Sequence, residues 1–349
     1  MTKLILVGGF LGSGKTTLLA EVARKLSAQG KAVGLITNDQ APELVDTRLL
    51  SSVGKGVLEV AGSCFCCNFN GFTDAVKSLI SQGAETIIAE PVGSCTDLSA
   101  TILNPIKKYY PDWNIAPLTV LAAPNRFQEI TGGTPGKADP DALYIMQLQL
   151  EEADRIFISK ADTLSETERT SVLNVLKQKF PGKKGGLLSA RTGEGLDAWL
   201  AEIQSATDAG TTIVPVDYDR YAHGEAVLGW LNATGTPEKP FSARDLLTAF
   251  QTEITKTNSE VGHVKAVLNF GGKESVANLT SIDGNVEVRE VESKSDKPTL
   301  IFNARVQMPP DSLETLVRSL LAKYNVAVKT LRSLMPGRPN PTHRFSEQA

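Results

Sequence analysis

Eight consecutive residues constrain the fold more than any other stretch. Gly9, Phe10, Leu11, Gly12, Ser13, Gly14, Lys15 and Thr16 lie between an apolar run, Leu4 to Val7, and a segment where Leu18, Leu19, Val22 and Leu26 recur at helical spacing. A strand that turns through three glycines into a helix opening on Lys-Thr-Thr fits the Walker A pattern. Glycines allow backbone N–H groups to curl around phosphate oxygens, and the helix N-terminus adds positive potential. Lys15 then reaches β- and γ-phosphates, Thr16 holds Mg²⁺, and Gly9, Gly12, Ser13, Gly14 and Thr17 line the nucleotide.

Such a loop needs a parallel sheet behind it, and the pattern continues that way. The strand expectations are Leu4 to Val7, Ala32 to Thr37, Val57 to Val60, Thr86 to Glu90, Leu118 to Ala122, Arg155 to Ser159 and Gly186 to Leu188, with amphipathic stretches between them. Thr131 to Asp139 reads as a surface loop. Near Ser205 to Thr212 the composition turns small and polar, which predicts a linker between residues 1–205 and residues 213–349. In the second half, Val264, Ala266, Leu268 and Phe270, and again Leu300, Phe302, Ala304, Val306 and Met308, alternate with polar neighbours. Two amphipathic helices accompany these strands, one carrying Leu246, Leu247, Phe250 and Ile254 and the other Leu313, Leu316, Val317, Leu320 and Tyr324. Asp283-Gly284 suits a hairpin turn, and Asp311 with Glu314 reads as a capping box. The expected fold class is α/β, a nucleotide domain with a mostly parallel sheet, followed by a smaller α+β domain for which a ferredoxin-like arrangement is one candidate.

Charge and composition narrow the partners. The chain has 349 residues, enough for two cores, and a formal charge of -3, so it carries no basic field for nucleic acid or an anionic membrane. No apolar run is long enough to span a bilayer and no leader-like segment opens the chain, so a cytoplasmic protein is expected.

Base choice is read further along. Ser159, Lys160, Ala161 and Asp162 close a strand and resemble the Asn-Lys-x-Asp motif of guanine-binding proteins, in which the carboxylate accepts from guanine N1 and N2. Ser159 stands where that motif has Asn, and a plain helix cap is the alternative for this stretch. Ser189, Ala190 and Arg191 resemble the loop that offers an N–H to guanine O6. Glu90 closes an apolar strand where an acid supports Mg²⁺ or its water, and Gly93 is placed to sense the γ-phosphate. Asp39 and Asp46 fall in the loop after the second strand, where a first switch would sit; at least one is expected near Mg²⁺, the alternative being an acidic solvated loop.

All four cysteines fall in the first hundred residues, and Cys64, Cys66 and Cys67 are too close together to pair as disulfides. Clustered thiolates suit Zn²⁺, Cu⁺ or Co²⁺ and not Mg²⁺ or Ca²⁺, with Zn²⁺ the default. Three ligands leave a position open for an incoming client ligand, whereas four close the site. The alternative is a set of small buried hydrophobes. Cys95, two residues past Gly93, would be a fourth thiolate if the segment that senses the γ-phosphate carries it to the cluster, the alternative being a buried or surface thiol beside the switch. The histidines, His223, His263 and His343, include no metal-storage tract and read as ordinary surface or core residues.

Together, the loop Gly9 to Thr16, the segment Gly62 to Cys67, the pair Glu90 and Gly93, and the motif Ser159 to Asp162 resemble the CobW-type P-loop GTPases, metallochaperones related to the urease and hydrogenase maturation GTPases. The resemblance covers the first 200 residues; in the second half it is architectural only. The stretch Thr37 to Gln40 is closer to the urease type, and the tail Pro336 to Arg344 is similar to a recurring ending of cobalamin-synthesis-like proteins. It implies a GTPase that uses GTP and Mg²⁺, with Lys15, Thr16 and Glu90 serving catalysis. It further implies Zn²⁺ or Co²⁺ on the cysteines, delivery to a client metalloprotein, and a nucleotide-dependent dimer. A metal-responsive regulatory GTPase without delivery and an accessory NTPase of corrinoid metabolism are the competing expectations.

Overall fold

The protein was described from a computed structural model covering residues 2–39, 56–61, 63–133, 138–257, 259–271, 273–289 and 298–349. Its first half is an α/β P-loop GTPase fold. The strands are β1 (Lys3–Gly8), β2 (Val33–Asp39), β3 (Gly56–Ala61), β4 (Thr86–Glu90), the short β5 (Asn114–Ile115), β6 (Thr119–Ala122), β7 (Arg155–Ile158) and β8 (Lys184–Leu187). They pair in the order β3-β2-β4-β1-β6-β7-β8, with β5 beside β1, and every pairing is parallel. β1 explains why its run is uninterrupted by polar residues. Leu4 and Leu6 face one core with Phe72, Val76 and Leu103, while Ile5 and Val7 face another with Leu18, Val22 and Trp199. A strand covered on both faces has no polar side to show. The chain reverses direction in the sheet at β1, between β4 and β6, so the carboxyl ends of these strands open on a crevice of the kind that holds ligands in doubly wound sheets.

The second half forms a separate antiparallel sheet of β9 (Gly229–Pro237), β10 (Val261–Asn269), β11 (Glu274–Leu279), β12 (Glu287–Arg289), β13 (Thr299–Val306) and β14 (Val326–Leu334), ordered β12-β11-β10-β13-β9-β14. Helix Ala243–Thr255 connects β9 to β10, and helix Pro310–Lys323 connects β13 to β14. The order β14-β9-β13-β10 is therefore two interlocked split β-α-β units, the ferredoxin-like arrangement, with the β11–β12 hairpin added at one edge. Leu246, Phe250, Leu313 and Val317 of the helices pack on Val264, Ala266, Phe302 and Ala304. One face of the sheet is covered in this way.

Several local expectations change. β9 and β14 carry Gly, Pro, Asn, Lys and Arg and give weak alternation; burial of Leu231 and Ala233 depends on the strands that flank them. The Asp311–Glu314 capping box is not formed. Pro310 occupies the first helical position after Pro309, no side chain caps that end, and Glu314 instead accepts from Arg318 Nε at 2.8 Å and Ser333 Oγ at 2.7 Å. Asp283 and Gly284 do lie in the turn between β11 and β12, where Gly284 N donates to Ser281 O at 3.2 Å. Part of the 131–139 loop, residues 134–137, lies outside the described residues. Residues 206–217 are strapped to the nucleotide domain: Asp154 accepts from Gly210 N at 2.6 Å and Thr211 N at 2.8 Å, and Arg155 pairs with Asp208 at 3.0 Å. Helix Tyr218–Ala226 lies on helix Pro140–Glu152 so closely that a Cβ at Gly224 would come within 2.4 Å of Asp141 O. Among the described residues, no helix is long and apolar enough to cross a membrane.

Candidate functional site

β1 delivers the chain into the glycine loop, and the loop's geometry explains its glycines. At Gly9, φ is +130° and a Cβ would stand 2.3 Å from Leu121 O. Helix Lys15–Ala28 begins on Gly14 at φ +89° without a side-chain cap, so the N–H groups of its first turn remain directed into the loop. Lys15 Nζ donates to Gly9 O at 2.7 Å and Phe10 O at 3.2 Å, and Glu90 Oε1 lies 4.0 Å away. Thr16 Oγ1 donates to Glu90 Oε1 at 3.1 Å, joining the two oxygen donors expected to serve Mg²⁺. Ser13 Oγ is buried with no hydrogen-bond partner among the described residues. Gly93 lies against the same loop; a Cβ there would come within 2.7 Å of Leu11 Cδ2.

The residues expected to read the base also converge. Asp162 Oδ1 accepts from Ser189 Oγ at 2.6 Å, and Arg191 Nη1 stands 3.8 Å from Asp162 Oδ2. Lys160 adopts the left-handed conformation at φ 53°, and Ala190 follows Ser189 in the neighbouring loop. Ser159 Oγ donates to Ala122 O at 3.2 Å, so this hydroxyl braces β6 against β7. Asp39 ends β2, but its side chain lies outside the described residues, as does all of Asp46.

The cysteine cluster forms in a tight turn. Cys67 N donates to Cys64 O at 3.1 Å and Asn68 N to the same oxygen at 2.9 Å; Asn68 then caps helix Phe69–Ser81. Sγ of Cys64 is 3.0 Å from those of Cys66 and Cys67, which are 3.8 Å apart. A tetrahedral zinc with bonds of about 2.3 Å needs sulfurs ~3.8 Å apart, so only a small expansion separates this cluster from a ligand set. Cys95, fully buried, shares the core with Cys64 and Cys66, but the thiols close enough together to ligate one ion, among the described residues, are those of Cys64, Cys66 and Cys67. The three neighbouring thiols aimed at Cys64 hold it far below the usual thiol range. Sharing with Cys64 pushes Cys67 up to about 11, and pushes Cys66 and Cys95 well above their ordinary value. Metal binding at such a group of thiols expels protons.

Sequence reasoning did not find the residues that hold this arrangement. Asn38, at the end of β2 and 7% exposed, donates to Val60 O at 2.7 Å and Ser63 O at 2.8 Å and accepts from Phe65 N at 2.9 Å. It also lines the cavity at the phosphate loop. Gln149 Nε2 donates to Gly93 O at 3.0 Å and Cys95 O at 2.8 Å. Glu152 accepts from Thr96 Oγ1 and Ser99 N, each at 3.0 Å, and Glu225 accepts from Ser94 Oγ. Burial pushes both carboxyls up to about 8. The tail covers the thiols: Asn340 N donates to Cys67 Sγ at 3.2 Å, Thr342 N to Cys66 O at 2.9 Å, and Arg344 Nε to Asp97 Oδ2 at 2.7 Å. His343 packs its ring on Phe69 and Tyr109, and exposed His223 bonds Asp141. A polar residue flanked by unremarkable neighbours gives no sign in sequence of which backbone groups it will meet.

Residues 3–185 match the family model described as "CobW/HypB/UreG, nucleotide-binding domain". Zinc chaperone YjiA of Escherichia coli (strain K12) is 26% identical over 178 residues, 47% of this chain and 51% of that relative. Zinc chaperone YeiR of the same organism is 34% identical over 96 residues, 27% of this chain and 29% of that relative. The chain thus spans about half, or less, of the length of these curated relatives. HypB from Helicobacter pylori, crystallised in complex with nickel, aligns at 17% identity over 62% of this chain and 91% of that one, with a TM-score of 0.43.

Proposed function

The chain belongs to the CobW/HypB/UreG nucleotide-binding family, and on that premise we propose that it is a GTP-hydrolysing metallochaperone that loads a transition metal on its cysteines and yields it to a client metalloprotein. One observation carries the coupling. The stretch Gly93 to Cys95 packs on Leu11 of the phosphate loop at one end and, at the other, buries Cys95 in the same core as Cys64 and Cys66. A shift of Gly93 upon loss of the γ-phosphate would therefore pull on the metal site directly.

Each residue then has a task. Lys15 and the first-turn N–H groups neutralise phosphate charge, and Asp162 with Ser189 selects guanine. Thr16 and Glu90, oxygen donors already hydrogen-bonded to one another, fit Mg²⁺, which would supply charge neutralisation at the phosphates. Cys64, Cys66 and Cys67 hold the cargo, with Zn²⁺ favoured by thiolate softness and Co²⁺ a competent substitute. Cys95 is the fourth donor in the closed arrangement, and its withdrawal opens one position. The client is expected to present the competing ligand.

Cobalt spectroscopy tests this reading. Co²⁺ on wild type is expected to give intense thiolate charge-transfer absorption that disappears in the Cys64, Cys66, Cys67 triple serine variant. In Cys95→Ser the band is expected to weaken, and its difference between GDP and a non-hydrolysable GTP analogue to vanish. Equal metal content in the triple variant moves the cargo site elsewhere. Identical metal affinity in both nucleotide states breaks the coupling, because a ligand that binds two states equally shifts nothing.

A further inference from the structure

The second sheet has one face under its helices; the other faces the phosphate loop. In β10 and β13, Val264, Ala266, Phe302 and Ala304 enter the core. Strand alternation sends His263, Lys265, Asn303 and Arg305 to the opposite face. Register makes these four a compact patch, since His263 stands opposite Arg305 and Lys265 opposite Asn303. The patch lines a cavity of about 110 Å³ whose far wall is Lys15, Thr16, Glu90 and Gly93.

Two features make this wall more than domain packing. First, its charge suits a polyanion. Lys15, Lys160, Lys265 and Arg305 bring cationic groups to this cavity, beside Glu90 and Glu287. Second, the cations are held in position. Arg305, 5% exposed, lays its guanidinium 4.4 Å from the Trp230 ring centroid and donates to Leu231 O at 3.2 Å and Asn232 Oδ1 at 2.9 Å. Lys265 is 8% exposed on the neighbouring strand. Donors fixed before the ligand arrives lose little entropy on binding and suit charge that builds up on phosphoryl oxygens. The contact between the domains is also close: a Cβ at Gly12 would come within 2.9 Å of Thr280, and Lys160 Nζ lies 3.3 Å from Glu287 Oε1. Whole-ligand pockets usually run to roughly 300–1,000 Å³. This cavity is the size of a phosphate group or two.

We infer that the second domain is the other half of the nucleotide site. Lys265 and Arg305 close on the terminal phosphate of a nucleoside triphosphate from the side opposite Lys15, so that the domain discriminates triphosphate from diphosphate. This rests on the guanine-nucleotide reading above. Gly93 lies on the same cavity, so the phosphate that the sheet grips is the one whose loss the thiol-bearing segment would sense.

The test is binding of a non-hydrolysable GTP analogue and of GDP to the full chain, for wild type, Lys265→Met, Lys265→Arg and Lys15→Ala. Lys265→Met is expected to lose about tenfold or more in affinity for the triphosphate while GDP affinity changes by less than about twofold, and Lys265→Arg to recover most of the loss. A general packing defect would weaken both ligands alike. Lys265→Gln, which retains most of the stem and a donor, serves as the second variant should methionine disturb folding. Triphosphate affinity within about twofold of wild type, or equal losses for both nucleotides, overturns the inference. If Lys15→Ala loses both nucleotides while Lys265→Met and Lys265→Gln keep both, the nucleotide reading stands and the second-domain clamp falls. A wild type that binds no guanine nucleotide removes both.

Discussion

Replacing Asn38 with alanine removes two donors and one acceptor from the turn that carries the cysteines, without touching a thiol. The lost partners are Val60 O, Ser63 O and Phe65 N, all within 2.9 Å of the amide. At a net ~1 kcal/mol for each buried hydrogen bond, the variant is expected to lose ~3 kcal/mol of stability. That is a large part of the 5–15 kcal/mol or so typical of a folded protein. Residues that orient metal ligands through hydrogen bonds typically contribute about 10–100-fold in metal affinity. The two effects separate in urea titrations run with and without Zn²⁺. At free Zn²⁺ of 100 times the wild-type Kd, metal adds ~2.7 kcal/mol to wild type; at tenfold weaker affinity and the same concentration it adds ~1.4 kcal/mol. The assay therefore reads a drop in metal-free stability and a halved zinc increment. If zinc adds the same increment to both proteins, Asn38 does not preorganise the thiols. An unchanged metal-free midpoint would refute the hydrogen-bond accounting as well.

Asp162→Asn is expected to move preference from GTP towards xanthosine triphosphate, because the amide can donate to the O2 carbonyl where the carboxylate only accepts; competition assays with ATP, GTP and the xanthine nucleotide read it, and equal competition by ATP in wild type refutes the guanine assignment. Glu152→Gln is expected to flatten the pH dependence of stability. Burial raises the folded Glu152 to about 8, well above the ~4.3 of an open chain, so between these values the folded state holds a proton that the unfolded state has released. Stability from this group thus falls as pH rises through that window and levels off above it, a change on the order of a few kcal/mol that is missing in the glutamine variant. Parallel pH curves for the two proteins from urea unfolding at pH 5 to 8.5 would show that Glu152 ionises normally.

Much of this protein can be read along the chain because its chemistry is local. The loop from Gly9 to Thr16 needs only its own glycines, strand and helix, and the turn from Cys64 to Cys67 brings three thiols together through bonds four residues apart or fewer. β1 and β4 announce their burial by uninterrupted apolar runs, and the alternation in β10 and β13 tells which side chains share a face. It does not tell what that face meets. Lys265 and Arg305 oppose the phosphate loop only because β10 and β13 pair in one particular register and the whole sheet docks near Gly12. Asn38 reaches Ser63 across parallel strands, Gln149 reaches Gly93 from a distant helix, and Arg344 reaches Asp97 across 247 positions. These polar contacts carry no periodicity, since one buried Asn, Gln or Arg looks in sequence like any exposed one. Their partners are chosen by sheet register and domain docking, which the long-range burial of apolar surface decides.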